Sequence, residues 1–393
     1  MTRRGQSPIN TKHLLATCVP RLNQTRIVLF IQLLNSFVSG ILAVALPLLM
    51  TERNINVVII GLVFASMPIF KQVQRIFLAA ISDFWGRKPF FALSGTLGLI
   101  SNSTYYLAHS PLAYLLGKII EGSKEACLWA VNRPFLLEMS ERKWTALVHL
   151  RTVAFTAMAV GSFLAGFLIV GISYQGTLVF CILFAAIIIP LSLMLDSGKR
   201  KKLSIADVLA LLDFRRRSKV FRIFFVLSFL RGLATGFWSG FVLPLFLKGN
   251  GFGAQTIGLL LGLQALIAGA SSYVFARESR LKKLILTSGV LYTLLFTLLG
   301  LSVSIFSGLL IIFLGVVEGL LAVVNEGVLP RITKRESYGS DIGLLMLGLH
   351  VGLTLSLAIS GFLISSFGFV LLFVFSALVL IPEYVISYVV LKE

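Results

Sequence analysis

The stretch Ala79-Ala-Ile-Ser-Asp83-Phe-Trp-Gly86-Arg87-Lys88 separates two apolar runs, near 57–81 and 90–108. Each run is about as long as the roughly 20 residues that a helix needs to cross a bilayer. Gly86 permits a tight turn between them. Arg87 and Lys88 hold that turn in water, because a charge at a helix centre in lipid costs about 2.5–3.5 kcal/mol on insertion scales. Working outward, further apolar runs fall near 27–50, 112–137, 145–171, 177–195, 223–247, 256–276, 284–305, 309–330, 342–366 and 369–391. None alternates with the period of two that a barrel strand requires. Backbone groups in lipid must satisfy one another within the segment, so the expected fold is an all-α integral membrane bundle of twelve transmembrane helices. Composition agrees: 57% of the 393 residues are hydrophobic and 13% charged, against roughly 25% charge in a soluble chain. That excludes a soluble enzyme and a disordered protein.

The formal net charge is +19, which invites a nucleic-acid reading until the charge is located. With the N-terminus inside, the cytosolic segments hold 26 of the 35 Lys and Arg, the outer connectors hold only Arg53 and Lys248, and seven lie within spans. This is the positive-inside asymmetry of membrane insertion. It places both termini in the cytosol, excludes nucleic acid as a partner, and favours anionic lipid of the inner leaflet. Residues 1–25 carry Arg3, Arg4, Lys12 and Arg21 without a small-residue cleavage site, and read as a retained cytosolic tail. Cys18, Cys127 and Cys181 are scattered and suggest neither a disulfide framework nor a metal site. No cofactor is expected.

The longest connector lies between the sixth and seventh runs. It carries Lys199-Arg-Lys-Lys202 and Arg215-Arg-Arg217, with Ser204-Ile-Ala-Asp207 and an apolar stretch between them. It reads as a short interfacial helix. The expected organisation is a tail (1–25), a six-helix bundle (26–196), a basic linker (197–221) and a second six-helix bundle (222–393). The halves share short motifs at a fixed offset of 197: Leu46-Pro47-Leu48 with Leu243-Pro244-Leu245, Ile60-Gly61-Leu62 with Ile257-Gly258-Leu259, and Glu121-Gly122 with Glu318-Gly319. Internal duplication of this kind places a central cavity between the halves, near the bilayer midplane.

The loop quoted first resembles the Gly-x-Leu-Ala-Asp-Arg-x-Gly-Arg-Arg/Lys signature of the major facilitator superfamily. It matches at Asp83, Gly86, Arg87 and Lys88, with Ala79 for the first glycine and Phe84 for the usual arginine. Lys118-Ile-Ile-Glu121-Gly122 is similar to that family's Arg-x-x-Gln-Gly motif. The resemblance covers about residues 26–391. It implies a twelve-span secondary transporter in which Asp83 faces the N-terminus of the eleventh span, near Ser340-Asp341, and Arg87 meets Glu138. These contacts would latch the halves on the cytosolic side. The fifth span holds Gly161 and Gly166 but not the Gly-Pro pair of the family's antiporter motif.

Charges inside the spans mark the candidate site, because lipid admits few of them without function. Lys71 and Arg75 lie at i, i+4 on the second span. Lys118, Glu121, Glu125 and Asn132 share a face of the fourth, with Lys124 off that stripe. Arg231 sits in the seventh span, and Glu318 and Asn325 share a face of the tenth. Gln32 and Asn35 form a milder stripe on the first. Spans six and twelve read as almost wholly apolar and lipid-facing. The ledger of five midplane cations (Lys71, Arg75, Lys118, Lys124, Arg231) against three acids (Glu121, Glu125, Glu318) favours anionic or acceptor-rich substrates. His149 and His350 read as packing residues near inner span ends.

The expected function is secondary active transport of a small solute by alternating access, as a monomer in the cytoplasmic or plasma membrane. Coupling would run to protons, through Glu318, or to another ion. Lacking a Gly-x4-Gly-Lys-Ser/Thr loop, the chain shows no sign of primary pumping. The rivals are multidrug efflux, told apart by acceptance of cations, and a non-transporting sensor or scaffold, told apart by uptake in liposomes. An enzyme is the weakest reading, for no nucleophile–base set is present.

Overall fold

The computed structural model describes residues 11–139, 143–196, 217–276, 280–302, 305–333 and 338–391. Among them are eleven α-helices and no strand. They are α1 (Thr11–Glu52), α2 (Val57–Trp85), α3 (Lys88–Leu107), α4 (Pro111–Met139), α5 (Lys143–Leu193), α6 (Lys219–Gly236), α7 (Val242–Gly249), α8 (Ala254–Phe275), α9 (Leu281–Leu301), α10 (Ile305–Ile332) and α11 (Tyr338–Val390). The interfacial helix expected near 204–212 lies outside the described residues. The tail is helical from Thr11, continuous with the first apolar run.

Where one apolar run follows another, the backbone breaks. The 51-residue α5 is non-helical at Ile172 and Ser173, where Ser173 has φ 63°. The 53-residue α11 is broken at Gly368, with φ 73°. Each has a first and a second arm. The run 223–247, expected to be one helix, is divided into α6 and α7 across a turn at Phe237–Phe241. Gly240 there adopts φ 66°, which glycine occupies at little cost.

Seven of the helices contain segments long and apolar enough to cross a membrane. Polar content keeps α3, α4 and α6 out of that set. Asn102 and several hydroxyls lie on α3; Lys118, Glu121, Lys124, Glu125 and Arg133 lie on α4; Lys219, Arg222 and Arg231 fall within the 18 residues of α6. Four of the charged side chains on α4 are nevertheless buried, none of Lys118, Glu121, Lys124 and Glu125 being more than 5% exposed, while Arg133 is exposed.

The sequence repeat has a packing counterpart. A Cβ on Gly61 of α2 would stand 2.8 Å from Leu357 O of α11, and one on Gly258 of α8 would stand 2.8 Å from Ser162 O of α5. Likewise Gly122 of α4 abuts Met67 O of α2 at 2.9 Å, and Gly319 of α10 abuts Ala268 O of α8 at 2.8 Å. Repeat mates therefore sit at equivalent crossings, where only a missing side chain lets backbones approach. The α2–α11 and α5–α8 crossings converge toward one end. There Gly361 abuts Val57 O at 2.5 Å and Gly166 abuts Gln255 Cα at 2.6 Å. Toward the end that carries the Gly86–Arg87 turn, a Cβ on Gly269 would find Phe155 only at 3.9 Å, and one on Gly343 would meet nothing within 4 Å. That end is spanned by side chains: Gln72 Nε2 donates to Gly343 O at 3.1 Å, and Arg151 pairs with Glu326.

Candidate functional site

The end turn comes first. Gly86, at φ 91°, caps α2 by donating its N–H to Ser82 O, and Lys88 opens α3. The turn thereby directs Arg87 inward: it is 4% exposed and ion-paired with Glu138 of α4 at 2.7 Å. Its Nη1 also donates to Ser82 Oγ at 3.3 Å. This is the Arg87–Glu138 contact that the resemblance implied. Asp83 occupies the last turn of α2, and its side chain lies outside the described atoms. The eleventh helix does begin near Asp341, which is 2% exposed and pairs with Arg217 at 3.0 Å.

Deeper in the bundle, α1, α3 and α4 bring polar groups together. Asn35 Nδ2 donates to Glu125 Oε1 at 2.9 Å, Lys124 Nζ reaches the same oxygen at 3.0 Å, and Trp129 Nε1 donates to Oε2 at 2.8 Å. Glu121 Oε2 accepts from Lys118 Nζ at 2.8 Å and from Tyr105 OH at 2.6 Å. Lys124 runs its stem past Gly98 of α3, whose absent side chain makes room for it. Asn132 Nδ2 donates to Gln32 Oε1 at 2.9 Å, and Gln32 Nε2 donates to Ser36 Oγ at 2.8 Å. Charges buried this way persist because each is paired and hydrogen-bonded.

On the second half of the sequence, Gln264 Nε2 of α8 donates to Glu318 Oε2 of α10. Among the described residues no cation pairs with Glu318. Asn325 Oδ1 on the same helix is buried without a hydrogen-bond partner. Arg231 of α6 is ion-paired with Glu383, in the second arm of α11. That pair revises the expected ledger: the twelfth apolar run, read as almost wholly apolar and lipid-facing, carries a buried acid, and that acid compensates Arg231. The ledger becomes five cations against four acids. Three pairs, Lys118–Glu121, Lys124–Glu125 and Arg231–Glu383, leave Lys71 and Arg75 on one side and Glu318 on the other. Lys71 Nζ stands 5.6 Å from the ring centroid of Trp129, a cation–π distance. Of the two histidines, His149 is exposed and His350 donates Nδ1–H to Met346 O at 2.7 Å.

The sequence reading missed Glu383, Tyr105, Trp129 and Gln264. A lone carboxylate beside Pro382 in an apolar run was the signal for Glu383. For the other three, no spacing on their own helix points to the acid they serve. A depression of about 560 Å³ lined by Phe246, Asn250, Leu301, Ser302 and Phe369 contains no charged side chain and lies apart from this cluster.

The family model described as Major Facilitator Superfamily matches residues 28–308 and 240–393. The chain belongs to the major facilitator superfamily. Superfamily members are membrane transporters of small molecules, so this is a multi-pass membrane protein of a transport family. Among solved superfamily structures, a mutant of the nucleoside transporter NupG is similar at TM-score 0.79 and 16% identity, over 94% of this chain and 100% of that chain. The human organic anion transporter MFSD10 is similar at TM-score 0.69 and 16% identity, over 93% of this chain and 99% of that one. A bacterial homologue of the human lysosomal transporter Spinster, inward-facing and unoccupied, is similar at TM-score 0.69 and 14% identity, over 98% and 95%. At these identities the likeness concerns the superfamily fold alone. No curated protein sequence matches the chain.

Proposed function

We propose that this superfamily member is a proton-coupled secondary transporter of a small organic solute, anionic or rich in hydrogen-bond acceptors. It works by alternating access between two six-helix halves, 26–196 and 222–393, as a monomer of twelve spans with both termini cytosolic. The broken α5 and α11 each supply two spans, and α6 with α7 supplies one. The observation that carries the substrate class is the pairing pattern: Glu121 and Glu125 are each saturated by neighbours, which leaves Lys71 and Arg75 without a carboxylate in ion-pair contact among the described residues. Uncompensated cations in a site shielded from water attract anions and repel cations. Glu318, held among the described residues by Gln264 and by no cation, is the group with freedom to take up and release a proton. Arg87 and Glu138, with Asp83, close the cytosolic end, where anionic lipid meets the basic connectors. Counterflow in proteoliposomes tests the reading: organic anions should exchange and organic cations should not. Exchange restricted to cations overturns it.

A further inference from the structure

The depression of about 560 Å³ lies where helix ends of the second half meet: α7 stops at Gly249, α9 stops at Leu301, and the second arm of α11 starts after Gly368. Packed interiors leave few voids of that size. Two lining glycines keep it open. A Cβ on Gly249 would find only Phe369 within 4 Å, at 3.9 Å, and one on Gly300 would meet Val370 O at 3.4 Å. The rings of Phe246 and Phe369, with centroids 5.5 Å apart, give it an apolar wall. Leu301 and Val370 at its rim are 75% and 50% exposed. The lining offers little to a polar solute, because its polar side chains spend their donors on their own helix ends. Asn250 Nδ2 donates to Phe246 O at 3.0 Å, and Ser302 Oγ donates to Leu299 O at 2.9 Å. Leu281–Leu301 is long and apolar enough to cross a membrane. A groove at the end of such a span stands where hydrocarbon gives way to headgroups.

A cation stands beside this groove. Lys248 precedes Gly249 in the last turn of α7 and is exposed. Among the described residues it has no ion-pair partner. Arg53, the other basic residue in the connectors at that end, is engaged: its Nη1 donates to Tyr114 OH at 2.7 Å. We propose that the groove is a phospholipid site, in which one acyl chain lies along Phe246 and Phe369 and the phosphate pairs with Lys248. The chain covers apolar surface that water would otherwise meet. The phosphate gives Lys248 a charge-assisted partner. A phosphate without a chain leaves the groove empty, and a chain without a phosphate leaves Lys248 uncompensated. The lipid would tie the ends of α7, α9 and the second arm of α11 together, apart from the charged cluster within the bundle.

Photocrosslinking locates the lipid. The delipidated full chain in a maltoside detergent is irradiated with phosphatidylglycerol bearing a mid-chain diazirine, or with diacylglycerol bearing the same chain, and the adducts are mapped. Phosphatidylglycerol adducts should concentrate on 246–250, 300–302 and 369–370, at least tenfold above those on Val226 and Leu294, which are also exposed. Gly249→Leu and Gly300→Leu fill the groove and should each cut these adducts at least fivefold while leaving adducts elsewhere unchanged. Lys248→Gln should cut phosphatidylglycerol adducts about threefold and leave the weaker diacylglycerol adducts as they were. Melting temperatures report whether each variant is folded. If the filled variants melt early, unlabelled dioleoyl phosphatidylglycerol replaces them as a competitor, and it should remove the groove adducts from the unsubstituted chain. Adducts spread evenly over exposed apolar residues, adducts that persist in folded filled variants or under that competition, or equal labelling by the two lipids with no effect of Lys248→Gln overturns the proposal.

Discussion

Arg231 of α6 is ion-paired with Glu383 in the second arm of α11, and the second carboxylate oxygen of Glu383 is buried without a hydrogen-bond partner. Removing one member of a buried pair strands the other charge, at a cost of roughly 3–5 kcal/mol, whereas replacing both with apolar groups is often neutral. Glu383→Leu should therefore lower the melting temperature in detergent sharply, and Arg231→Met combined with Glu383→Leu should recover most of the loss. A double variant no more stable than Glu383→Leu alone would show that the pair matters for more than mutual neutralisation.

The Arg87–Glu138 contact predicts a coupled pair at the end that carries the Gly86 turn. Glu138→Gln should slow transport several-fold while leaving insertion and substrate binding intact, and Arg87→Gln should add little in the double variant. Contacting charges of this kind couple by about 0.5–3 kcal/mol. Additive losses in a double-mutant cycle of transport rates would mean that the two residues act separately. Asp83→Asn should slow transport as well, and a normal rate in that variant would reduce the loop to a topogenic signal.

Glu318→Gln should abolish accumulation driven by an imposed pH gradient but preserve solute exchange, because the amide cannot carry the proton. Glu121→Gln should instead weaken binding, since Lys118 loses its counter-charge and the oxygen that accepts from both Lys118 and Tyr105 becomes a neutral amide oxygen. Both are compared in liposomes with and without the gradient. Accumulation by Glu318→Gln against a gradient would remove Glu318 from coupling.

Gly61 and Gly258 predict a matched pair of steric effects. A leucine at either position must push backbones apart at the tight end of α2–α11 or α5–α8. Both substitutions should slow transport at least tenfold. Both should also raise labelling of engineered cysteines near that end. A large effect from one and none from the other would break their equivalence.

Topology is checked by cysteines at Ser110, Ser173 and Gly251, all exposed in the structure. Each should label from outside intact cells. Labelling only after permeabilisation would invert the assignment of sides.

Read alone, the sequence determined the apolar runs, the turn at Gly86, the asymmetry of basic residues and the 197-residue repeat. All of these are local or periodic properties of the chain, set by what lipid admits and what water requires. It also brought Lys118 to Glu121, because they lie three residues apart on one helix. Which charge answers which across helices was decided only by tertiary structure. Arg231 and Glu383 are 152 positions apart, and Asn35 and Glu125 are 90 apart. Nothing in either local pattern encodes the partner. An ion pair in lipid is selected by where packed backbones deliver the side chains, and those backbones approach only where glycines such as Gly61, Gly122 and Gly352 leave room. The same packing turned an expected surplus of cations into two open ones, Lys71 and Arg75, on a single turn of α2.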